Sequence, residues 1–304
     1  MSEIKYIHCF GTSHTAGGGF EFDSKVEDKL NLKKIYSNSG EPLTQFNFSW
    51  PGQLQKLLDN KIQIYNHAKS GFGNELIYRK TFDIVSDNTF NSAENLFIFE
   101  FSHIGRQEYY LNEIQDYVIV NYDNLENMKN GDDNYHFELG KNYYYDSPKL
   151  INILNAFKTT LISFFKQTKN ESEILKEIDR NNTFFYSFLK QIKINFLFLV
   201  PPFGTYLLDD DSIEKFFTNF KEYEIPIFIG SEKYNNFYDF MYDTAPEFTI
   251  SKETNYRIKD GHLGLRGNKL VAYNVYNNLI EKKYISSELI NNDKMLDLTI
   301  KSVI

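Results

Sequence analysis

Short strand-like runs alternate with longer segments of helical period along this chain. The strand-like runs cover residues 5–10, 62–65, 96–99, 196–200 and 225–229. The third of them, Leu96-Phe97-Ile98-Phe99, is apolar throughout, as expected for a strand that is buried on both faces of a parallel sheet. Between the runs, apolar residues recur every three or four positions, which is typical of amphipathic helices.

The clearest helix start lies at Ser49-Trp50-Pro51. Ser49 can cap the helix, and proline suits a first helical turn. Leu54, Leu57 and Leu58 follow at helical spacing and are predicted to form the buried face. Further helices are predicted over residues 76–84, 147–165, 171–178, 184–192 and about 267–279.

Strands separated by helices predict a parallel sheet with right-handed crossovers. We therefore expect an α/β fold with three αβα layers and a doubly wound, mostly parallel sheet of five strands, of the flavodoxin-like kind. Residues 1–285 are interpreted as one domain. It carries an insertion at about 105–146, which is rich in Asn, Asp and Tyr and lacks a strong period. Residues 286–304 are interpreted as a C-terminal appendage or oligomer contact.

A serine among glycines follows the first strand-like run, in Phe10-Gly11-Thr12-Ser13 and the Gly17-Gly18-Gly19 run after it. A tight turn at the end of a parallel strand holds a hydroxyl at the edge of the sheet where ligands bind. Near the other end of the chain, Asp260 stands two residues before His262. These residue types form a candidate nucleophile, base and orienting acid. The plainer interpretation is that Ser13 only caps a helix and that His262 is a loop histidine.

These segments resemble the sequence blocks of the SGNH/GDSL hydrolases. Residues 10–13 resemble the first block, whose usual form is Gly-Asp-Ser, and residues 260–262 resemble the last. Residues 66–74 and 100–103 follow the second and third strand-like runs, where that family has its other two blocks. The resemblance is spread over most of the chain, although each block is short.

The chain also departs from the family pattern at three places. Thr12 stands where the family has an aspartate, and Glu100-Phe101-Ser102-His103 stands where it has Gly-x-Asn-Asp. The acid Asp260 is two residues before His262, whereas the usual family position, three residues before, is held by Lys259. These departures concern the catalytic details and leave the expected fold unchanged.

The resemblance implies a serine esterase that needs no metal and no cofactor. Ser13 would attack an acyl carbon, His262 would accept its proton, and Asp260 would orient the imidazole. A backbone carbonyl in place of Asp260 would leave a serine–histidine dyad. The expected substrate is a small-molecule or carbohydrate ester, with removal of acetyl groups first and of fatty-acyl groups second.

The resemblance also implies a set of oxyanion donors. The backbone N–H groups of Ser13 and Gly71 are the family's usual donors, and a side chain supplies the third. Ser102 occupies the place of the missing family asparagine, and Asn74 is a nearby amide. Gly71 would equally suit an ordinary tight turn.

Other polar residues flank the expected cleft. Arg106 would clamp a carboxylate or phosphate of the substrate, or else pair with Glu108 or Glu100. His14 and His103 also lie near it, but they lack a carboxylate or thiol at ligand spacing, so no metal is expected.

Charge and cysteine content exclude several classes. The net charge is −8 without a dense Lys/Arg stripe, which argues against nucleic acid as a principal partner. Cys9 is the only cysteine, so a disulfide within the chain is impossible. No apolar run reaches the roughly 18 residues of a membrane span. The first strand begins near residue 5, so we expect no signal peptide and a cytoplasmic protein.

Two further functions stay open at this point. The same site would support O-acyl transfer if an acceptor alcohol outcompetes water. A different class is a non-catalytic binding or structural module on an SGNH fold, for example a component of a virion. The altered third block favours this second class.

Overall fold

The computed structural model describes most of the chain outside its long polar segments. The described residues are 4–22, 27–37, 42–101, 106–112, 116–121, 138–139, 152, 156, 171–200, 221–229, 231–234, 237, 240, 245–254 and 261–286. All but two residues of the helix predicted over 147–165, and the appendage beyond residue 286, lie outside this set.

Nine strands and eight α-helices occur in the described residues. The strands are β1 (Tyr6–Phe10), β2 (Gln63–Asn66), β3 (Asn95–Glu100), β4 (Arg106–Leu111), β5 (Asp116–Asn121), β6 (Glu138–Leu139), β7 (Asn195–Val200), β8 (Ile227–Ile229) and β9 (Glu232–Tyr234). The helices are α1 (Ser13–Ala16), α2 (Glu27–Tyr36), α3 (Gln45–Phe48), α4 (Trp50–Leu57), α5 (Asn74–Val85), α6 (Glu171–Gln191), α7 (Ile250–Thr254) and α8 (Leu265–Glu281). None of these helices is both long and apolar enough to cross a membrane.

A parallel sheet of four strands forms the centre of the molecule. Its strand order is β2-β1-β3-β7, and every neighbouring pair is parallel. The α/β class is confirmed, as are four of the predicted strands. Because sequential strands lie on either side of β1, the chain must cross between them through helices.

The fifth predicted strand is arranged differently. Ile227–Ile229 pairs antiparallel with β9 in a hairpin of its own. Just before it, the N–H of Ile225 donates to the carbonyl of Phe198 at 2.8 Å, and Glu224 forms an isolated parallel bridge with the same residue. Beyond this bridge, the segment pairs with β9 and not with β7.

Helices cover both faces of the parallel sheet. On one face, Ile7 and Cys9 belong to a cluster with Trp50 of α4 and Val275 of α8. On the other face, alternate residues of the same strands are largely phenylalanines, which pack with α5 and α6. Since side chains of a strand alternate between faces, the two clusters are the two cores of a three-layer arrangement.

One helix prediction is confirmed in its start, and two others belong to a single helix. Ser49 caps α4 as expected, because its hydroxyl accepts from the N–H of Gly52 at 3.4 Å. The helices predicted over 171–178 and 184–192 are instead one helix of 21 residues. The polar residues between them, such as Arg180 and Asn181, are exposed on that helix and do not end it.

The predicted insertion contains strands rather than only irregular chain. β4, β5 and β6 form a three-stranded antiparallel sheet. It is joined to α5 through Arg79, which forms an ion pair with Glu108 and lies 3.7 Å from the ring centroid of Tyr117.

Candidate functional site

Ser13 is the first residue of α1, directly after the C-terminal end of β1. The helix ends after one turn at Gly17, whose φ of 80° is a left-handed conformation that glycine adopts without strain. The N–H of Gly18 then donates to the carbonyl of Ser13 at 2.5 Å. This short turn leaves Ser13 half-buried at the edge of the sheet where the strands end.

A buried carboxylate from β3 holds this turn. Glu100 accepts hydrogen bonds from the Thr12 hydroxyl at 2.7 Å, from the Thr15 N–H at 2.9 Å and from the Thr15 hydroxyl. Burial raises the pKa of Glu100, and the hydrogen bonds from Thr15 and Thr12 oppose this rise. Gly11 leaves room for the carboxylate, since a Cβ there would lie 2.6 Å from Oε2.

The second block is tied to the same turn. The N–H of Lys69 donates to the carbonyl of Gly11 at 3.2 Å, and the Asn66 amide donates to the carbonyl of Thr15 at 2.8 Å. Gly71 is buried with a φ of 83°, so this position favours glycine for its backbone alone. Asn74 follows as the first residue of α5 and is also buried.

The last block meets the turn from the other side. A Cβ at Gly18 would lie 2.7 Å from both Cδ2 and Nε2 of His262, so the imidazole packs directly on this glycine. Its ring centroid is 5.2 Å from that of His14. The His262 backbone is held in turn, because its carbonyl accepts from the N–H of Ile250 at 2.9 Å.

Glu253 supports the start of α8, just after His262. Its carboxylate accepts from the N–H of Gly267 at 3.1 Å and from the Tyr36 hydroxyl at 3.4 Å. Burial raises the pKa of Glu253 to about 7, against the opposing effect of these hydrogen bonds and of Arg266. A carboxylate at a helix N-terminus satisfies N–H groups that have no partner within the helix.

A pair of histidines lies under the second block. His8 Nε2 is 2.8 Å from Oδ1 of Asn95, and His8 Nδ1 is 3.0 Å from Nε2 of His67. The Asn95 amide N–H donates to the Asn91 carbonyl at 2.7 Å, so its Oδ1 accepts from His8 and neutral His8 accepts from His67. Burial lowers the pKa of His8. Burial, together with the nearby His8 and Lys80, also lowers the pKa of His67, to about 4.

A groove of about 660 Å³ opens beside the second block. It runs along β2, an edge strand among the described residues, and is bordered by Ala16 of α1, Phe46 of α3, Tyr65 and Ser70. Its volume lies in the range of small-molecule sites, roughly 300–1,000 Å³.

The predicted site residues divide into two groups. Ser13, His262, Gly71 and Asn74 are described, and the contacts above bring their segments together at one edge of the sheet. Asp260 and Ser102, together with His103, lie outside the described residues.

Arg106 is the first residue of β4 and is half-buried. Its expected partners are occupied otherwise, since Glu108 pairs with Arg79, and Glu100 accepts from Thr12 and Thr15. Within the described part of the chain, no group of three or more His, Cys, Asp or Glu residues is placed to hold a metal ion.

Comparison with known proteins adds no assignment. No family model, no curated protein and no solved structure matches the chain significantly.

Sequence reasoning missed Glu100, Thr15 and Glu253 as parts of this site. Each was a plausible surface or turn residue by type alone. The signal that was available for Glu100 is its position directly after the apolar run of residues 96–99, because a strand that continues by one residue buries this carboxylate.

Proposed function

We propose that this chain is a serine-dependent ester hydrolase of the SGNH/GDSL type. Ser13 is the nucleophile and His262 its general base, and Asp260 orients the imidazole. The proposal includes the doubly wound, five-stranded arrangement that this family resemblance implies.

One observation carries the proposal. Residues from the two ends of the chain meet, because the His262 ring packs on Gly18, whose N–H donates to the Ser13 carbonyl. A hydrolase of this type needs a histidine close to its serine at the C-terminal edge of a parallel sheet, and here the histidine packs against the turn that carries the serine. The Lys69–Gly11 and Asn66–Thr15 hydrogen bonds support it by bringing the second block to the same turn.

The reaction would proceed in two balanced steps. His262 takes the proton of the Ser13 hydroxyl as its oxygen attacks the acyl carbon, and the ester C–O bond breaks as the leaving alkoxide receives that proton. His262 then takes a proton from water as the water attacks the acyl-serine, the bond between the acyl carbon and Ser13 Oγ breaks as Oγ receives that proton, and the carboxylic acid is released. N–H groups of Ser13 and Gly71 hold the oxyanion, with Asn74 or Ser102 as the third donor.

A small acyl ester of a carbohydrate is the proposed substrate. The groove of about 660 Å³ beside the second block has room for a sugar, and Tyr65 at its border is 42% exposed. Aromatic rings offer the apolar face on which sugars stack. An acceptor alcohol that reaches the acyl-Ser13 in place of water would turn hydrolysis into acyl transfer.

A specific observation favours the second class, a non-catalytic binding or structural module. Glu100, the first residue of the altered third block, is 3% exposed and accepts its hydrogen bonds from Thr12 and Thr15. A block of this kind supports the fold whether or not a reaction takes place.

Labelling and turnover separate these two classes. We expect the protein to hydrolyse p-nitrophenyl acetate and to be labelled by a fluorophosphonate. Both signals should vanish in Ser13→Ala and His262→Ala and persist in Ser86→Ala, a change to an exposed serine. Acetyl that appears on an added sugar would indicate transfer. Folded protein that neither labels nor turns over ester would leave the binding module as the function.

A further inference from the structure

Glu100 uses both of its carboxylate oxygens on the turn that carries Ser13. Oε1 accepts from the Thr12 hydroxyl at 2.7 Å, and Oε2 accepts from the N–H of Thr15 at 2.9 Å and from the Thr15 hydroxyl. These donors lie immediately before and after Ser13 and His14. The carboxylate therefore spans the segment that presents the serine.

The turn is built around this carboxylate. A Cβ at Gly11 would lie 2.6 Å from both Oε2 of Glu100 and the Thr15 hydroxyl oxygen. The indole N–H of Trp50, which is fully buried, donates to the same Thr15 hydroxyl at 3.0 Å. The network thus runs from the end of β3 through the turn to the sole tryptophan of the chain.

The acid lies on a different segment than in the pattern that the chain resembles. Thr12 stands where that pattern has an aspartate, and Glu100 stands where it has a glycine. Thr12, directly before Ser13, can donate a hydrogen bond but carries no charge. The carboxylate that accepts this hydrogen bond belongs to Glu100 of β3. The Thr12–Glu100 hydrogen bond joins these two positions directly.

We propose that Glu100 is the positioning residue of the Ser13 turn, and that it replaces an acid within the turn itself. This inference rests on the proposed function as far as Ser13 is the nucleophile. Its physical basis is that donors converge on both carboxylate oxygens in a buried site. Glutamine has a single, uncharged acceptor oxygen, so the Thr12 hydroxyl would have to turn from donor to acceptor, and the donors of Thr15 would lose their carboxylate.

Glu100→Gln is the direct test. We expect the rate of fluorophosphonate labelling at Ser13 to fall about 100-fold, since a displacement of about 1 Å at a reacting group costs that much. The fall should appear in kcat for p-nitrophenyl acetate, with KM little changed. Glu94→Gln, a change just before the opposite end of β3, should label like the wild type.

Two readouts do not depend on catalysis. Amide hydrogen exchange at Thr15 should become faster in Glu100→Gln, because its N–H loses a carboxylate acceptor. The fluorescence of Trp50 should change as well, because its partner Thr15 is released. Thr12→Val removes a single hydrogen bond and gives the same test in milder form if Glu100→Gln does not fold.

A double substitution distinguishes a positioning role of Glu100 from a role in packing alone. In Thr12→Asp combined with Glu100→Gln, the carboxylate returns to the turn and the amide on β3 can donate to it. We expect this double variant to label faster than Glu100→Gln alone, a recovery that a purely structural role of Glu100 would not produce.

The outcomes distinguish the two proposals. If the wild type labels and Glu100→Gln labels equally fast, the positioning role is overturned and the hydrolase stands. If the wild type does not label but Thr15 exchange and Trp50 fluorescence change in Glu100→Gln, the hydrolase is overturned, whereas the role of Glu100 in holding the turn is supported. Unchanged exchange and fluorescence overturn that role whatever the catalytic result.

Discussion

The imidazole of His262 lies against Gly18 so closely that a Cβ at position 18 would be 2.7 Å from its Nε2. The same Cβ would lie 2.9 Å from the carbonyl oxygen of Ser13. Position 18 is thus where the first and last blocks of the candidate site meet. Glycine is required there for space and not for its backbone conformation. Gly18 does not have a positive φ, unlike Gly17, Gly19 and Gly71.

Gly18→Ala should therefore damage the site without straining the backbone. We expect the added methyl group to displace His262 and to lower the labelling rate of Ser13 about 100-fold. Gly261→Ala is the matched control in the loop of His262, because a Cβ there would have nothing within 4 Å. Equal labelling of the two variants would contradict the proposed contact between base and nucleophile turn.

Glu253 should make the protein less stable as the pH rises. Its pKa is raised from 4.5 to about 7 in the folded state, so between these values the folded form keeps a proton that the unfolded form has lost. The free energy of unfolding then decreases as the pH rises from about 5 to 8, by about 3 kcal/mol from this group.

Glu253→Gln should remove that part of the pH dependence. Urea unfolding at pH 5 and pH 8 measures it, and Glu247→Gln, at an exposed position on the preceding 3₁₀ turn, provides the control. An unchanged difference between the two pH values in Glu253→Gln would show that the carboxyl ionises normally in the folded protein.

His67 should make the protein sensitive to acid. Its pKa is lowered from 6.5 to about 4, so as the pH falls through this range the unfolded chain takes up a proton before the folded one does. Stability is then lost as the pH falls from about 6.5 to 4, by about 3 kcal/mol from this group.

His67→Phe should show two opposite effects. It keeps the aromatic stack with Phe10, whose ring centroid is 4.9 Å away, but His8 Nδ1 loses its donor. We expect a loss of about 1–3 kcal/mol at pH 7 and a shallower decline in acid. Thermal unfolding between pH 4 and pH 7 measures both. Tyr65→Phe, in the same aromatic row, should decline as steeply as the wild type.

Arg79 should hold the antiparallel sheet to α5. The side chain of its partner Glu108 is 0% exposed, so Arg79→Met leaves a buried carboxylate without its cation. We expect a loss of about 3–5 kcal/mol in the free energy of unfolding. The double variant Arg79→Met with Glu108→Leu should regain most of it, and Arg180→Met, at an exposed position, should have little effect. No recovery in the double variant would contradict a burial cost at Glu108.

Local patterns were sufficient for the central strands and for α4. The runs at 5–10, 62–65, 96–99 and 196–200 became β1, β2, β3 and β7 with bounds shifted by no more than a residue or two. Such elements follow from neighbours in sequence, because burial on two faces demands a continuous apolar run. The same rule placed 225–229 in the sheet, whereas Ile227–Ile229 pairs antiparallel with β9.

The sequence by itself determined the α/β class, the candidate serine turn and the candidate histidine, because each follows from a pattern of residues that are adjacent in the chain. Only the tertiary structure decided that Glu100 reaches Thr12, 88 residues earlier, at 2.7 Å, and that His262 packs on Gly18. Such contacts depend on strand order and on where each crossover returns the chain. These are properties of the packed sheet, so no local pattern contains them.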